Sequence, residues 1–417
     1  IVKNLSSVET LGAASVICSD KTGTLTRAEM TIERVVTASG STRITGVGYE
    51  PRGRVEHEGS DLKDGPLYDE NIAVLSGGSL AGNAYLRRTE EGRWEIQGDP
   101  TEAAFLVAER KLGVNELRER RFERIGEIPF TSERKMMSTL NIDRKHNGQI
   151  VLIAKGAPDI LLNRCARLRL GTAAVPLDDS LRKRILDDVD RLSDDALRTL
   201  AVAYRPLGSD PDLSAGEKLE QDLVFAGTVG IIDPPREEVG PAIREAHRAG
   251  IRVVMITGDH PRTAARIAAD LGIVEPGANA VTGIELDEMG DAAFAEAVRE
   301  TSVYARVAPK HKLRIVDALQ ADGKIVAMTG DGVNDAPALK SADIGVAMGI
   351  TGTEVAKEAA KMILSDDNFT TIVAAVREGR AIFDNIRKCL RYLLSSNMGE
   401  VLTVFLGVVM AAAIGLS

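Results

Sequence analysis

Three stretches of the chain place carboxylates directly after apolar, β-branched runs. The first is SVICSDKTGTLT at 15–26, where a short buried strand is predicted to end at Asp20. Taken alone, this stretch is more typical of a strand followed by a surface turn. The other two are IRVVMITGD at 251–259 and KIVAMTGDGVND at 324–335. Because ligands of open α/β sheets bind at the carboxyl ends of strands, these ends can converge on one crevice, with Asp20 as the catalytic candidate.

Such convergence would bring Asp20, Thr257, Asp331 and Asp335 within a few ångströms of one another. Carboxylates that lie so close cannot all ionise without a positively charged partner. A hard cation with oxygen ligands is the natural partner, most simply Mg²⁺ that arrives with a phosphate. The residue types at these strand ends therefore point to phosphoryl transfer.

The turn that follows Asp20 is rich in small and hydroxyl-bearing residues. Gly23 can adopt backbone angles that other residues avoid. The hydroxyls of Thr22, Thr24 and Thr26 are predicted to face a phosphate as hydrogen-bond donors. The turn is thus expected to be one wall of the phosphate site.

Five motifs together resemble the P-type cation-transporting ATPases, and their order and spacing match that family over nearly the whole chain. They are DKTGTLT at 20–26, KGAP at 155–158, DPPR at 233–236, TGD at 257–259 and TGDGVNDAPAL at 329–339. The alternation of strands and helices after residue 231 independently predicts a parallel, doubly wound sheet.

The resemblance implies an α/β fold: a haloacid-dehalogenase-like doubly wound parallel sheet, a large inserted α+β nucleotide-binding domain and a C-terminal transmembrane helix. The expected domains are the phosphorylation domain at 1–29 and 231–380, the nucleotide-binding domain at 30–230, and a stalk with the transmembrane helix at 381–417. The two prolines of DPPR are expected to stiffen the second crossing between the domains.

Composition agrees with acidic, soluble catalytic domains. The net charge of −9 argues against a nucleic-acid surface, and three scattered cysteines without CxxC spacing fit a reducing compartment. At 417 residues the chain is too short for a whole pump of this family. We expect a fragment or truncated reading frame that begins after the fourth membrane helix, with the actuator domain and other membrane helices as its partners.

The resemblance also assigns roles to individual residues. The implied catalytic set is Asp20, Lys21, Thr22, Thr257, Gly258, Asp259, Lys312, Asn334 and Asp335. Asp20 would be the nucleophile, and Mg²⁺ would be bound by Asp20, Asp331 and the Thr22 carbonyl. Thr257, Gly258, Asp259, Lys312 and Asn334 are also expected to contact the bound ATP. In this scheme Asp259 and Asp335 hold the loops and help to orient the metal.

Lys312 is unusual on physical grounds too, because PKHKLR places cations at the positive end of a helix. Either Lys310 and Lys312 are simply solvated, or an anion lies beside them. The resemblance favours the second interpretation and places Lys312 over an acyl phosphate.

The inserted domain is expected to bind ATP without a P-loop, since no GxxxxGK[ST] sequence occurs. The resemblance implies that Phe130 stacks on adenine, Lys155 lines the pocket, Arg198 contacts phosphate and Glu102 contacts the nucleotide. From the residues alone, Glu102 could equally serve the first turn of a helix by compensating its dipole.

The last apolar segment, 390–416, is roughly 25 residues long and can span a bilayer. The basic residues of 387–391 predict that its start is cytoplasmic, so that the catalytic domains of a multi-pass membrane protein would face the cytoplasm. Asn397 and Glu400 share a helix face and resemble ligands of a transported cation, with Ca²⁺ favoured over Mn²⁺, Na⁺ or H⁺. A buried helix of a soluble domain is the alternative.

Two other functions remain open from the sequence. A soluble haloacid-dehalogenase-like phosphatase shares the aspartyl nucleophile, but usually carries an acid–base Asp where this chain has Thr22. Since threonine cannot do that work at neutral pH, a phosphoenzyme should persist here. An inert nucleotide-binding module is the third possibility.

Overall fold

The computed structural model of the chain describes residues 10–90, 92–208 and 211–413. Residues 1–9 and 414–417, at the outer ends of the first and last predicted domains, lie outside the described part. The described residues form two compact units. The first unit takes its residues from Ile1–Leu25, Glu237–Pro261 and Ala268–Ser417, and the second from Thr26–Arg236 and Arg262–Ile267, as far as these segments are described.

Short strands and helices make up most of the described chain. The strands are β1 (Val16–Asp20), β2 (Thr31–Thr37), β3 (Gly40–Ile44), β4 (Val55–His57), β5 (Ser60–Asp61), β6 (Tyr85–Arg88), β7 (Trp94–Gln97), β8 (Phe122–Ile128), β9 (Met136–Asp143), β10 (Gln149–Gly156), β11 (Cys165–Leu170), β12 (Ala173–Pro176), β13 (Arg198–Gly208), β14 (Leu223–Ile232), β15 (Arg252–Ile256), β16 (Val281–Thr282), β17 (Val303–Ala305), β18 (Val326–Gly330), β19 (Ile344–Met348) and β20 (Met362–Leu364). The helices are α1 (Pro66–Leu80), α2 (Pro100–Leu112), α3 (Asn115–Arg121), α4 (Pro158–Asn163), α5 (Asp179–Asp194), α6 (Val239–Arg248), α7 (Pro261–Asp270), α8 (Gly283–Glu288), α9 (Asp291–Glu300), α10 (Pro309–Ala321), α11 (Ala336–Ser341), α12 (Glu354–Ala359) and α13 (Phe369–Ala413).

The first unit is built on a parallel sheet with the order β16-β17-β15-β1-β18-β19-β20 in the described part. The pairs on both sides of β1 are parallel, with Cys18 opposite Val254 and Met328. Val16, Ile17 and Cys18 are buried in succession, which requires cover on both faces of the strand. This explains why the strand is apolar without alternation.

The strand order reverses beside β1. The chain passes from β1 to β15 on one side and later returns to β18 on the other. A switch of this kind opens a crevice at the carboxyl ends of the two strands it separates. Asp20 ends β1 and Asp331 directly follows β18, so both lie at this crevice.

The second unit is built on a larger sheet whose principal order is β5-β4-β3-β2-β14-β13-β10-β9-β8. The neighbouring strands along this order pair antiparallel, while β11 adds to β14 in parallel. α1 and α2 pack closely: a Cβ added to Gly78 would lie 2.0 Å from the ring of Phe105. Glycine is therefore required at this helix contact.

α13 is a single helix of 45 residues whose first turns belong to the core of the first unit. Phe369, Ile372 and Val376 are buried there, and Arg380 donates to the carbonyl of Ala249 at 2.8 Å. Large apolar side chains are exposed from Ile382 to Met410. In the described part of the chain, one helix, Phe369–Met410, is long and apolar enough to cross a membrane by length and composition.

The predicted fold class is confirmed. The chain is α/β, with a parallel sheet interrupted by an antiparallel α+β insertion and followed by a long apolar helix.

Candidate active site

Three carboxylates meet at the crevice of the parallel sheet. Asp20 ends β1, Asp331 follows β18, and Asp335 ends the short helical turn after it. Oxygen atoms of all three lie within 4.8 Å of one another. The backbone N–H of Asp20 donates to Thr329 Oγ1 at 3.2 Å, which fixes the end of β1 against β18. The predicted convergence is thus present for Asp20, Asp331 and Asp335.

Lys312 lies between two of these carboxylates. Its Nζ is 2.5 Å from Asp20 Oδ2 and 2.7 Å from Asp335 Oδ1, and the side chain is 11% exposed. Burial alone would lower the pKa of Lys312, but the two carboxylates raise it, so the ammonium stays charged. The cation at the start of α10 is therefore stabilised by buried anions rather than by solvent.

One ammonium does not balance three carboxylates. The pKa of Asp331 is raised from 3.8 to about 6, mainly by burial and then by the neighbouring carboxylates of Asp20 and Asp335. This excess of negative charge and the all-oxygen donor set fit a hard divalent cation such as Mg²⁺. Asp20 and Asp331 would hold it, with Asp335 beside them. The Thr22 carbonyl, two residues after Asp20, stays a predicted ligand.

The raised pKa of Asp331 gives a signed pH dependence. The fold favours the protonated carboxyl, so in the absence of metal this group lowers the free energy of unfolding as the pH rises from about 4 to 6. Mg²⁺ relieves that cost but must displace a proton at low pH. We expect Mg²⁺ to raise Tm more at roughly pH 7.5 than at roughly pH 5, as measured by calorimetry. In Asp331→Asn the shift should be small at both values, and an equal wild-type shift at both would contradict the assignment.

Asp335 also holds the loop after β18. Its Oδ2 accepts from the backbone N–H groups of Asp331 at 3.2 Å and Gly332 at 3.0 Å. A Cβ on Gly330 would lie 2.5 Å from that of Asp335, so the turn needs glycine there. Asn334 is exposed beside it. Asp335 thus links the backbone of the loop to Lys312.

The end of β15 supplies a second group of predicted residues. Thr257 is buried, and its Oγ1 accepts from the backbone N–H of Asp259 at 3.1 Å. Asp259 forms an ion pair of 2.8 Å with Lys21, whose side chain is 6% exposed. This pair ties the turn after β15 to the turn after β1. Gly258 faces open space, since an added Cβ would meet nothing within 4 Å.

The turn after Asp20 corrects one sequence expectation. Thr22 is exposed, but Thr24 and Thr26 are buried. Thr24 Oγ1 lies 3.6 Å from a methionine sulfur, and Thr26 Oγ1 donates to Asp233 Oδ2 at 2.6 Å. The prediction that these two hydroxyls face a phosphate is therefore wrong, because both are buried and interact with other side chains of the protein. Gly23 has a φ of 75°, as its predicted backbone freedom allows.

Sequence reasoning missed a loop beside the site, 349–353. Asp367 is buried and accepts from the backbone N–H groups of Gly349 at 2.7 Å and Thr351 at 2.8 Å. The N–H of Thr353 donates to the carbonyl of Asp331 at 2.8 Å. The available signal was the sequence GITGT, a glycine-rich turn directly after the apolar run of β19.

In the second unit, Glu102 and Lys155 lie together. Their side chains are 3.3 Å apart, and Lys155 Nζ lies 5.4 Å from the centre of the Phe105 ring. Burial lowers the pKa of Lys155, while the Glu102 carboxylate opposes that shift. Asp99 caps α2 by accepting from the N–H of Thr101 at 2.7 Å. Since Asp99 is the cap, the side chain of Glu102 is available to Lys155.

Phe130 and Arg198 lie toward the same end of the sheet. Gly156 pairs with Met136 at the start of β9 and with Ala201 near the start of β13. Phe130 precedes β9 and is 59% exposed, and Arg198 begins β13 and is exposed. The four predicted nucleotide residues therefore share one edge of the second unit, although contact is established only between Glu102 and Lys155.

Asn397 and Glu400 lie on α13, within its exposed apolar part. Their spacing of three residues places them on one helix face. Their predicted role as cation ligands stays a prediction.

Comparison with known proteins gives matches to both units. Residues 71–238 match the family model described as P-type ATPase, cytoplasmic domain N, and residues 312–376 match that of haloacid dehalogenase-like hydrolases. The chain is 46% identical to the calcium-transporting ATPase of Bacillus subtilis over 99% of its own length and 46% of that protein.

Two further relatives are similar. Identity is 43% to calcium-transporting ATPase 1 of Lactococcus lactis, covering 98% of this chain and 44% of that protein. It is also 43% to the probable cation-transporting ATPase F of Mycobacterium bovis, covering 99% and 46%. The chain thus spans less than half the length of these relatives.

Proposed function

Because this chain belongs to the P-type cation-transporting ATPases, we propose that it is the catalytic part of a pump that moves a cation across a membrane with ATP, through an aspartyl-phosphate intermediate. The observation that carries the proposal is the position of Asp20. It ends the central strand with Lys312 at 2.5 Å and two further carboxylates beside it. This arrangement supports a nucleophilic role for Asp20, because the cation and the proposed metal ligands are already beside it.

In the proposed reaction, a carboxylate oxygen of Asp20 forms a bond to the γ-phosphorus of ATP. The bond from that phosphorus to the bridging oxygen breaks, and ADP leaves. Bound Mg²⁺ would supply neutralisation of charge on the phosphoryl oxygens. Lys312, which already lies at Asp20, neutralises further charge, with Thr257 and Asn334 as additional donors. The rate then comes mainly from positioning and electrostatics.

The remaining residues of the site hold its geometry. Asp335 orients Lys312 and binds the backbone of the loop that carries Asp331. Lys21 and Asp259 join the turns after β1 and β15 through their ion pair, and Gly258 leaves room beside them for a phosphate. These residues prepare the site before the substrate arrives.

We assign ATP binding to the inserted domain, 30–230, and phosphorylation to 1–29 with 231–380. The edge that carries Phe130, Lys155, Arg198 and Glu102 provides an exposed aromatic face, a buried cation, a second cation and a carboxylate. The aromatic face suits a purine base, and the two cations suit its phosphates. The segment 381–417 is assigned to the stalk and a membrane helix.

The proposed cargo site lies on the membrane helix, where Asn397 and Glu400 offer oxygen ligands on one face. Calcium is the favoured cation because two of the relatives named above are calcium-transporting ATPases. An ionisable side chain at membrane depth is costly and is expected to have a function. The actuator domain and other membrane helices would complete the pump, with the catalytic units in the cytoplasm.

Labelled ATP distinguishes this proposal from the alternatives. With γ-labelled ATP and Mg²⁺, we expect the chain to acquire a label that survives acid and is removed by hydroxylamine, as an acyl phosphate would be. Rapid release of free phosphate without a stable label would instead indicate a phosphatase. Absence of both would indicate an inert nucleotide-binding module.

The proposed stacking of Phe130 on adenine can be tested by substitution. Phe130→Ala should weaken ATP binding by roughly 1–3 kcal/mol, because one stacking face for the base is lost. Titration calorimetry measures this on the whole chain. Tyr85→Ala removes another exposed aromatic residue of the same unit, 70% exposed, and should leave the affinity unchanged. An unaltered affinity in Phe130→Ala would place the adenine elsewhere.

A further inference from the structure

The turn that carries Phe130, residues 129–135, is exposed over most of its length. A backbone hydrogen bond holds it closed: the N–H of Lys135 donates to the carbonyl of Thr131 at 2.8 Å. Lys135 has a φ of 53°, a left-handed conformation that is unfavourable for a side chain other than glycine. A strained, exposed turn of this kind needs an anchor to keep one conformation.

Arg134 is the anchor within the turn. It is the one side chain of 129–135 that is largely buried, at 12% exposed. One of its terminal nitrogens donates to the carbonyl of Pro129 at 2.8 Å, directly before Phe130. The other donates to the carboxylate of Glu220. Arg134 thus ties the backbone beside Phe130 to a residue outside the turn.

Glu220 is completely buried and lies three residues before β14. Besides Arg134, it accepts from Ser138 Oγ at 2.7 Å and from Arg164 at 3.2 Å. A buried carboxylate is costly to maintain unless such partners satisfy it. The two arginines and the hydroxyl meet this need, and together they connect the turn, β9 and the end of α4.

The far end of the turn is fixed against the residue after Lys155. A Cβ on Gly156 would lie 2.7 Å from the carbonyl oxygen of Lys135 and 2.5 Å from the Cβ of Met136. The N–H of Ala157 donates to that same carbonyl at 3.0 Å. Glycine at 156 therefore allows the turn to pack directly on the backbone that follows Lys155.

We propose that Arg134 and Glu220 are positioning residues for nucleotide binding, which hold Phe130 in place relative to Lys155. This inference rests on the proposed function, in which Phe130 stacks on adenine. Neither residue needs to touch the nucleotide. Without the anchor, the turn would sample other conformations, and binding would have to restore order at a cost in affinity.

Glu220→Gln keeps the shape of the side chain but removes its charge. Arg134→Lys keeps the charge but removes the forked guanidinium group. We expect each to raise the Kd for ADP roughly five- to tenfold. Phosphorylation at saturating ATP should stay near the wild-type rate, because Asp20 and its partners are untouched. Amide exchange should become faster in 131–135.

Glu109→Gln is the matched control. Glu109 is also completely buried in the second unit, where it pairs with Arg118 at 2.8 Å and accepts from Ser76 at 2.7 Å. This variant should lose thermal stability to a similar degree, yet keep the wild-type Kd and the slow exchange of 131–135. The comparison separates positioning from a general loss of stability.

Calorimetric titration of the full chain with ADP decides the question. The inference is supported if Glu220→Gln and Arg134→Lys weaken binding and Glu109→Gln does not. It is overturned if both anchor variants bind like wild type while Phe130→Ala binds weakly, an outcome that leaves the proposed function standing. It is overturned together with the proposed function if the wild-type chain binds no ADP.

Discussion

We expect the Asp20→Asn chain to form no phosphoenzyme with labelled ATP and Mg²⁺. Asparagine keeps the size and shape of the side chain, but its amide lacks the anionic oxygen that attacks phosphorus. Nucleotide binding should survive, because the residues proposed to hold ATP in the inserted domain, Phe130, Lys155, Arg198 and Glu102, are unchanged. The measurement is acid-quenched labelling of the protein, together with ADP calorimetry.

The control for this substitution is Asp287→Asn. Asp287 is a carboxylate of the same unit that pairs with Lys310 at 2.8 Å and His311 at 3.0 Å and is not part of the cluster of Asp20, Asp331 and Asp335. The Asp287→Asn chain should be phosphorylated like wild type. Accumulation of acyl phosphate on Asp20→Asn would show that another residue is the nucleophile.

The second large effect is expected for Lys312→Gln. This change removes the cation that lies between Asp20 and Asp335, which leaves two carboxylates facing each other in a buried site. Loss of one partner from a buried ion pair costs about 3–5 kcal/mol of stability. Phosphorylation should also slow by roughly 10²–10³, the range observed when one preorganised electrostatic group is removed.

Lys310→Gln provides a close comparison on the same helix. The side chain of Lys310 is 66% exposed and pairs with Asp287, so its loss should change stability by less than about 1 kcal/mol. Thermal unfolding and single-turnover labelling measure both effects. If Lys312→Gln matched Lys310→Gln in stability and rate, the electrostatic role of Lys312 would be wrong.

Much of the catalytic crevice could be predicted because the strands carry local signals. Apolar runs that stop at carboxylates predict strand ends, and the rules of parallel sheets bring such ends together. That reasoning placed Asp20 and Asp331 at one crevice. The cations at the start of α10 were recognisable because they oppose the helix dipole, and the buried partners of Lys312 explain why that position is stable.

Other features depend on partners far away in the chain and have no local pattern. Thr26 is one example, because its hydrogen-bond partner, Asp233, is 207 positions away. The local sequence does not show this partner, and it therefore suggests that the hydroxyl faces a phosphate. Asp367 follows an ordinary polar sequence, and only the folded chain places it under the loop beside Asp331. The same holds for Glu220 and Arg134, which are 86 positions apart. A single sequence reports on local periodicity and not on such pairings.

The most direct test of the account is to locate the phosphate. The wild-type chain should be incubated briefly with ATP and Mg²⁺, quenched in acid, digested at low pH and analysed by mass spectrometry. We expect the added phosphate on Asp20, in the peptide that contains 15–26, and its removal by hydroxylamine. A hydroxylamine-resistant phosphate on Ser19 or Thr22, or on any residue outside this peptide, would contradict the assignment of Asp20 as the nucleophile.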